Sequence, residues 1–136
     1  MRSSVEPRTT TLDGRHLKGP GHWELGSDGI ARIRYVKGDV VTEDLANATI
    51  AELKALGGGK RLPVLVDIRQ MKAVSREARA IFGNSQDAFS ALALLADSPR
   101  TQVIANFFIA LSRPKVPTQL FTDEEKALAW LRRHGA

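Results

Sequence analysis

The chain contains no cysteine in 136 residues. That excludes disulfides, thiolate metal sites, iron–sulfur clusters and a cysteine nucleophile. It fits a reducing compartment, and the cytoplasm is the default expectation. Long apolar runs are also missing. The longest mainly apolar stretch, Ala91 to Ala96, falls far short of the roughly 20 residues that span a bilayer. The N-terminus is polar and lacks an apolar segment, so no secretory signal is expected. Histidine is scarce: His16, His22 and His134 lie far apart, with no partner ligand at helical or turn spacing. No metal site is expected, since one needs three or four ligands in defined geometry. The same scatter leaves no base for a Ser-His-Asp arrangement, and there is no Gly-x-Ser-x-Gly elbow.

What is present fits one folded domain. A chain of this length buries roughly 68% of its unfolded surface, enough for a core without staples. Apolar residues make up 43%, and the formal net charge is +5. Residues 1–20 contribute +2 of that through Arg2, Arg8, Arg15 and Lys18 against Glu6 and Asp13. Elsewhere bases and acids are mixed. A nucleic-acid binder shows a denser basic stripe, so no specific nucleic-acid partner is expected.

Residues 1–21 are rich in Ser, Thr, Pro, Gly and charge, and read as a flexible N-terminal arm, part of which extends the first strand. Residues 22–136 form the domain. Trp23-Glu24-Leu25, the turn Gly26-Ser27-Asp28-Gly29, and Ile30 to Val36 predict an antiparallel hairpin. In its second strand Ala31, Ile33 and Tyr35 alternate with Arg32 and Arg34.

Thr42 is placed to cap a helix that buries Leu45, Thr49, Leu53 and Leu56 and stops at Gly57-Gly58-Gly59. Leu62 to Ile68 is a near-continuous apolar run, as in a central strand covered on both faces, with Pro63 tolerated only near its start. Ser75 opens a short helix over Ala78, Ile81 and Phe82, ending at Gly83-Asn84.

A strand from about Ser90 to Ala96 follows. Ser98-Pro99 then starts a helix with a buried stripe of Ile104, Phe107, Phe108 and Leu111, ended by Arg113-Pro114. Adjacent phenylalanines cannot point the same way, so one of the pair should face a neighbour or a cavity. Pro117 to Phe121 is a short strand. Thr122-Asp123-Glu124-Glu125 has capping-box spacing for a last helix through Ala127, Leu128, Trp130 and Leu131. The expected order is β-β-α-β-α-β-α-β-α, a mixed and mostly parallel α/β sheet with flanking helices.

The succession Asp28-Gly29-Ile30, Leu65-Val66-Asp67-Ile68, Ser75-Arg76-Glu77-Ala78-Arg79, Ser98-Pro99-Arg100 and Phe121 to Leu131 resembles small bacterial STAS-like proteins of uncharacterised function. These are similar in fold to anti-sigma-factor antagonists (SpoIIAA-like) and, more broadly, to SEC14-like lipid carriers. The resemblance covers about residues 22–134. It implies the STAS-like fold; the leading functional expectation, a non-enzymatic binding or protein-interaction module, rests instead on the caps and arginines at one sheet edge. In the antagonists the loop after the Val66-Asp67-like strand leads into an Asp-Ser-Ser-Gly-Leu motif bearing the phosphorylated serine. Here Ser75-Arg76-Glu77-Ala78-Arg79 stands there, with Glu77 at or near the phosphoacceptor position, which argues against such a switch.

Gly57-Gly58-Gly59-Lys60 is not a phosphate loop. The earlier glycine is missing, Arg61 replaces Ser or Thr, and the segment runs from helix to strand. No cofactor is expected. The candidate site lies instead at the C-terminal strand edge, where open α/β sheets bind ligands. Asp67 and Asp97 close two strands there, and the helix starts at Ser75, Ser98 and Thr122 point to the same side. Arg69, Arg76 and Arg100 lie in those loops. Asp67, Arg69, Ser75, Arg76, Asp97, Ser98 and Arg100 thus form the expected binding surface, for a protein partner or an anionic ligand. Asp67 and Asp97 are an acid/base alternative, if close together and partly desolvated. A second expectation, which the fold resemblance permits, is a carrier of a lipid or other small apolar or anionic ligand, with a cavity lined by residues such as Phe107, Phe108 or Trp130. A homodimer is the base-rate assembly.

Overall fold

The period-two burial of Ala31, Ile33 and Tyr35 against Arg32 and Arg34 gives the sheet one apolar and one charged face on this side. The computed structural model describes residues 9–12, 15–18, 22–112 and 115–135. In chain order the elements are β1 (Thr9–Leu12), β2 (Arg15–Lys18), β3 (His22–Leu25), β4 (Ala31–Arg34), β5 (Val40–Val41), α1 (Glu43–Gly57), β6 (Leu62–Asp67), β7 (Ala73–Val74), α2 (Arg76–Gly83), β8 (Phe89–Leu95), α3 (Pro99–Ser112), β9 (Thr118–Phe121) and α4 (Glu124–His134). Much of the expected arm lies outside the described residues. Within it, β1 and β2 pair as an antiparallel hairpin.

The main sheet has the order β3-β4-β6-β8-β9. β3 is antiparallel to β4 and every other pairing is parallel. The apolar run Leu62 to Asp67 therefore occupies the centre. Its register slips between Leu62 and Pro63, where proline has no N–H for the ladder. The strand order advances in one direction through β4, β6, β8 and β9. Crossovers of one hand then deliver α1, α2 and α3 to the same face. Ile33, Val64, Leu92 and Leu94 pack there against Ala46, Ile50 and Leu53 of α1, Ala78 of α2, and Ala105 and Phe108 of α3.

The other face of β6 and β8 carries Leu65, Ala91, Ala93 and Leu95, covered by Ala127, Leu128, Trp130 and Leu131 of α4. Two alanines on β8 let α4 approach closely. Gly135 anchors its end: its carbonyl accepts from Ser90 Oγ at 2.8 Å, and a Cβ there would collide with Pro63.

The caps follow the sequence at Thr42 and Ser75, whose hydroxyls accept from Leu45 N and Ala78 N. α1 ends on Gly58 in the left-handed region at φ 57°. Other expectations need correction. Asp123, not Thr122, caps α4 by accepting from Lys126 N; a carboxylate one residue closer to the first turn displaces the hydroxyl. Phe107 leaves the expected stripe and is 53% exposed, whereas Phe108 is buried. The side chain of Leu111, and Arg113-Pro114, lie outside the described residues. β8 and β9 begin at Phe89 and Thr118 rather than Ser90 and Pro117. β5 and β7 were not expected; each is two residues long and they pair only with each other.

Leu131 of α4 is fully buried against the sheet. Leu131→Ala is expected to lower unfolding stability by about 2–5 kcal/mol. Urea denaturation followed by circular dichroism measures it, and a loss under 1 kcal/mol would mean that α4 is not packed as described.

Candidate functional site

The parallel register of β4 and β6 places Arg34 beside Asp67, and Arg69 follows two residues on. All three meet at the C-terminal end of the central strand. Asp67 is 4% exposed and accepts four hydrogen bonds. Arg69 gives three of them, from its backbone N at 3.0 Å, Nε at 2.9 Å and Nη2 at 2.7 Å. Arg34 Nε gives the fourth at 3.1 Å. Burial alone would raise the Asp67 carboxyl. The hydrogen bonds and charge of Arg69, with Arg34, outweigh it and hold the group below the ordinary carboxylate range.

This pair opens onto an uncovered, charged part of the sheet beside α4. Arg69 Nη2 also lies 3.9 Å from Glu124. Asp28 binds Arg32 at 2.9 Å and Arg132 at 3.7 Å. Cations and anions alternate here, so the region is an ion-pair lattice rather than a cationic cradle.

The remaining expected residues lie at the same edge and divide by use. Ser75 is occupied as the α2 cap. Ser98 Oγ accepts from Thr101 N at 3.1 Å, while Thr101 Oγ1 accepts from the Ser98 and Asp97 amides, also at 3.1 Å. Thr101, fully buried, was not anticipated, although the spacing Ser-x-x-Thr is a reciprocal-cap signal. Arg100 Nη1 donates to the carbonyls of Met71 and Lys72 at 3.0 Å, tying the start of α3 to the loop that leads into β7. Asp97 is exposed. Arg76 is exposed and makes no hydrogen bond or ion pair among the described residues.

Two further features were only partly foreshadowed by the residue pattern, which required one of Phe107 and Phe108 to turn from the core without saying which. The first is an outward face on α3, where Val103 is 65% and Phe107 53% exposed. The Arg79 guanidinium of α2 lies 5.1 Å from the Phe107 ring centroid, a cation–π distance.

The second is an apolar cavity of about 60 Å³ between the sheet and α1, α2 and α3. Phe108 lines it; Phe107 and Trp130 do not. Trp130 instead packs at 5.5 Å from Phe121 and 4.9 Å from His134. At roughly 24 cal/mol per Å³, a void of that size costs about 1.5 kcal/mol. Among the described residues no cluster of three potential metal ligands occurs, and no helix is long and apolar enough to cross a membrane.

With this geometry in place, the comparisons define the class. The fold is STAS-like: the chain is similar to an uncharacterised protein of the DUF3478 family with a SpoIIAA-like fold from Shewanella loihica PV-4. The TM-score is 0.58 at 20% identity, over 80% of this chain and 90% of that one. The chain belongs to the family described as Domain of unknown function (DUF7793), whose profile matches residues 24–135. A protein of unknown function from Arthrobacter sp. FB24 is 40% identical over 80% of this chain and 96% of that one, with a TM-score of 0.34. No curated protein matches.

Two titrations test the electrostatics. Asp67→Asn is expected to cost about 1 kcal/mol near pH 7, the low end for a charged hydrogen-bonded group because its arginine partners are partly exposed. The folded value lies below the unfolded one, so this stability is complete above the ordinary carboxylate value. It disappears as pH falls through the folded value. Urea midpoints of wild type and variant should therefore converge on acidification; a gap unchanged down to pH 2 would contradict the assignment.

Glu52 on α1 behaves in the opposite way. Its Oε1 is buried without a hydrogen-bond partner, and burial pushes the carboxyl up to about 7. The folded state then holds a proton that the unfolded chain has released, so stability falls as pH rises from the ordinary value to about 7. Glu52→Gln should raise the melting temperature at pH 8 and leave it nearly unchanged at pH 4. Equal effects at both would refute the raised value.

Proposed function

We propose that this protein is a non-enzymatic interaction module that docks a protein partner at the C-terminal edge of its sheet and along the outer face of α3. The docking surface comprises the loops bearing Asp67, Arg69, Ser75, Arg76, Asp97, Ser98 and Arg100, continued by Val103 and Phe107. The observation that carries the reading is the exposed pair Val103 and Phe107, one helical turn apart, on a helix whose other side is core. Large exposed apolar side chains rimmed by charge mark contact surfaces. Arg76, Arg79 and Arg100 supply a basic rim, which suits a partner segment with an apolar anchor and acidic flanks.

Two of the arginines have structural duties that make them poor free anchors. Arg69 holds Asp67, and Arg100 holds two carbonyls. Arg76 is the member of the set whose charge is unspent, so it is assigned the leading electrostatic role. A reducing compartment, the cytoplasm, suits a chain without cysteine.

The carrier alternative narrows. Ligand pockets usually measure about 300–1,000 Å³. A cavity of about 60 Å³ does not take an acyl chain, so any cargo is much smaller than a lipid.

A photo-crosslinking residue at position 107 is expected to capture the partner in cells of the source organism, and the same probe at Arg133 on α4 is not. The double variant Val103→Ser/Phe107→Ser should retain its fold and lose at least tenfold in affinity for the captured protein, with Arg76→Glu adding to the loss. Capture at 133 instead of 107, or wild-type affinity in the folded double variant, would remove this surface from consideration.

A further inference from the structure

We propose that β9 pairs with β9 of a second copy of this chain, antiparallel across a two-fold axis at Leu120, so that the two five-stranded sheets run on as one. The proposal is independent of the docking surface at Val103 and Phe107. It starts from the two edges of the sheet. β3, at one edge, has β1 beside it. β9, at the other, pairs with β8 alone among the described residues. Pro117 and Phe121 turn their carbonyls inward, to Leu92 N and Ala96 N, both at 2.9 Å. Backbone groups alternate along a strand, so those of Thr118 and Leu120, and of Thr122 just beyond, turn outward. They form a row of donors and acceptors ready to pair with another strand.

Proteins usually blunt such an edge with charge, lysine above all, or with proline. Here no charged residue occurs from Val116 to Thr122. Pro117 blocks nothing, because its backbone faces β8. α3 lies over this edge and has no charged residue from Thr101 to Ser112. Phe107 leans toward Arg79 of α2. The opposite flank of α3 therefore carries Gln102, Asn106 and Ile109, at i, i+4 and i+7. Ile109, Val116, Leu120 and Phe121 are each left only partly buried along this margin, so apolar surface remains there to be covered.

Charge selects a second copy as the occupant. A two-fold contact sets one patch against itself, so a charged patch meets its own sign. The chain as a whole is +5, and the rim of Arg76, Arg79 and Arg100 beside the outer face of α3 would repel its own copy. The β9 margin is neutral, and its ends are complementary. Lys115 precedes the strand and Asp123 follows it; antiparallel pairing sets the basic entry of one copy beside the acidic exit of the other. With the axis at Leu120, the two Leu120 residues face each other and Thr118 faces the partner's Thr122. These are pairs that exchange two backbone hydrogen bonds. Gln119 then lies opposite the partner's Phe121. A strand from another protein needs none of this self-matching.

Sedimentation equilibrium of the full chain, read together with amide hydrogen exchange by NMR, tests this. Wild type is expected to be a dimer at micromolar concentration. Asn106 and Gln119 are exposed, and Asn106→Lys/Gln119→Lys brings like charges to the axis. That variant should keep its circular dichroism spectrum and dimerise at least tenfold more weakly. Val103→Ser/Phe107→Ser should leave the dimer unchanged, which separates this interface from the docking face. The amides of Thr118 and Leu120 should be protected in the dimer and exchange quickly on dilution, while those of Gln119 and Phe121, inside the sheet, stay protected. A monomer at every concentration, a dimer indifferent to the lysines, or one lost in Val103→Ser/Phe107→Ser would overturn the proposal. Protection of Thr118 and Leu120 that arises only on adding the crosslinked partner would give the edge to that protein and overturn it equally. Should the lysine variant fail to fold, the wild-type exchange pattern decides: a dimer with Thr118 and Leu120 unprotected is fatal.

Discussion

A carboxylate buried at the end of the central strand must find cations, and meeting that need organises the functional edge of this protein. Asp67 takes Arg34 from the neighbouring strand and Arg69 from its own loop. Losing the Arg69 side chain would remove two of the four hydrogen bonds to a carboxylate that is 4% exposed. The backbone amide of Arg69 joins the same carboxylate, so the loop leaves β6 in a fixed direction. Everything hung from that loop inherits the direction. Gly38 donates to Gln70, Lys72 to Asp39 and Ser75 to Val41, which brings β5 and β7 together and delivers Ser75 to cap α2. Arg100 then clamps the loop from the far side through Met71 and Lys72.

The same arrangement limits what the edge can do. Three arginines near three helix starts suggest an anion cradle when only the sequence is visible. Once folded, Arg69 is committed to Asp67, Arg100 to carbonyl oxygens, and the serines to helix amides. The neighbouring sheet surface carries two groups of ion pairs, Asp28 with Arg32 and Arg132, and the run Arg34, Asp67, Arg69 and Glu124. Charge neutralised in this way directs association more than it holds a small anion. That is why the weight of the functional reading shifts from the caps toward Arg76 and the α3 face.

Much of the fold was legible because local signals agreed with one another. The alternation in Ala31 to Tyr35, the apolar run through Val66, the hydroxyl caps at Thr42 and Ser75, and the glycine stop after α1 each have a single physical interpretation. The misses share a cause. Val40-Val41 and Ala73-Val74 are too short to carry a period, and they form only because the Asp67 loop brings them together. Thr122 and Asp123 are both competent caps, and sequence spacing favoured the wrong one. In Phe107-Phe108 the sequence required one ring to face away from the core; which one depends on the rotation of α3 over the sheet, a tertiary quantity.

The site was less legible than the fold for the same reason. Asp67 and Arg34 are 33 residues apart and become partners through strand register. Nor does residue type distinguish an arginine used in folding from one left to solvent. The cavity is tertiary information too: its wall is assembled from the sheet, from Ile50 and Leu53 of α1, Phe82 of α2, and Ile104, Ala105 and Phe108 of α3. α2 is held at its N-terminus by the Asp67-ordered loop. It borders both the void and, through Arg79 and Phe107, the exposed face of α3.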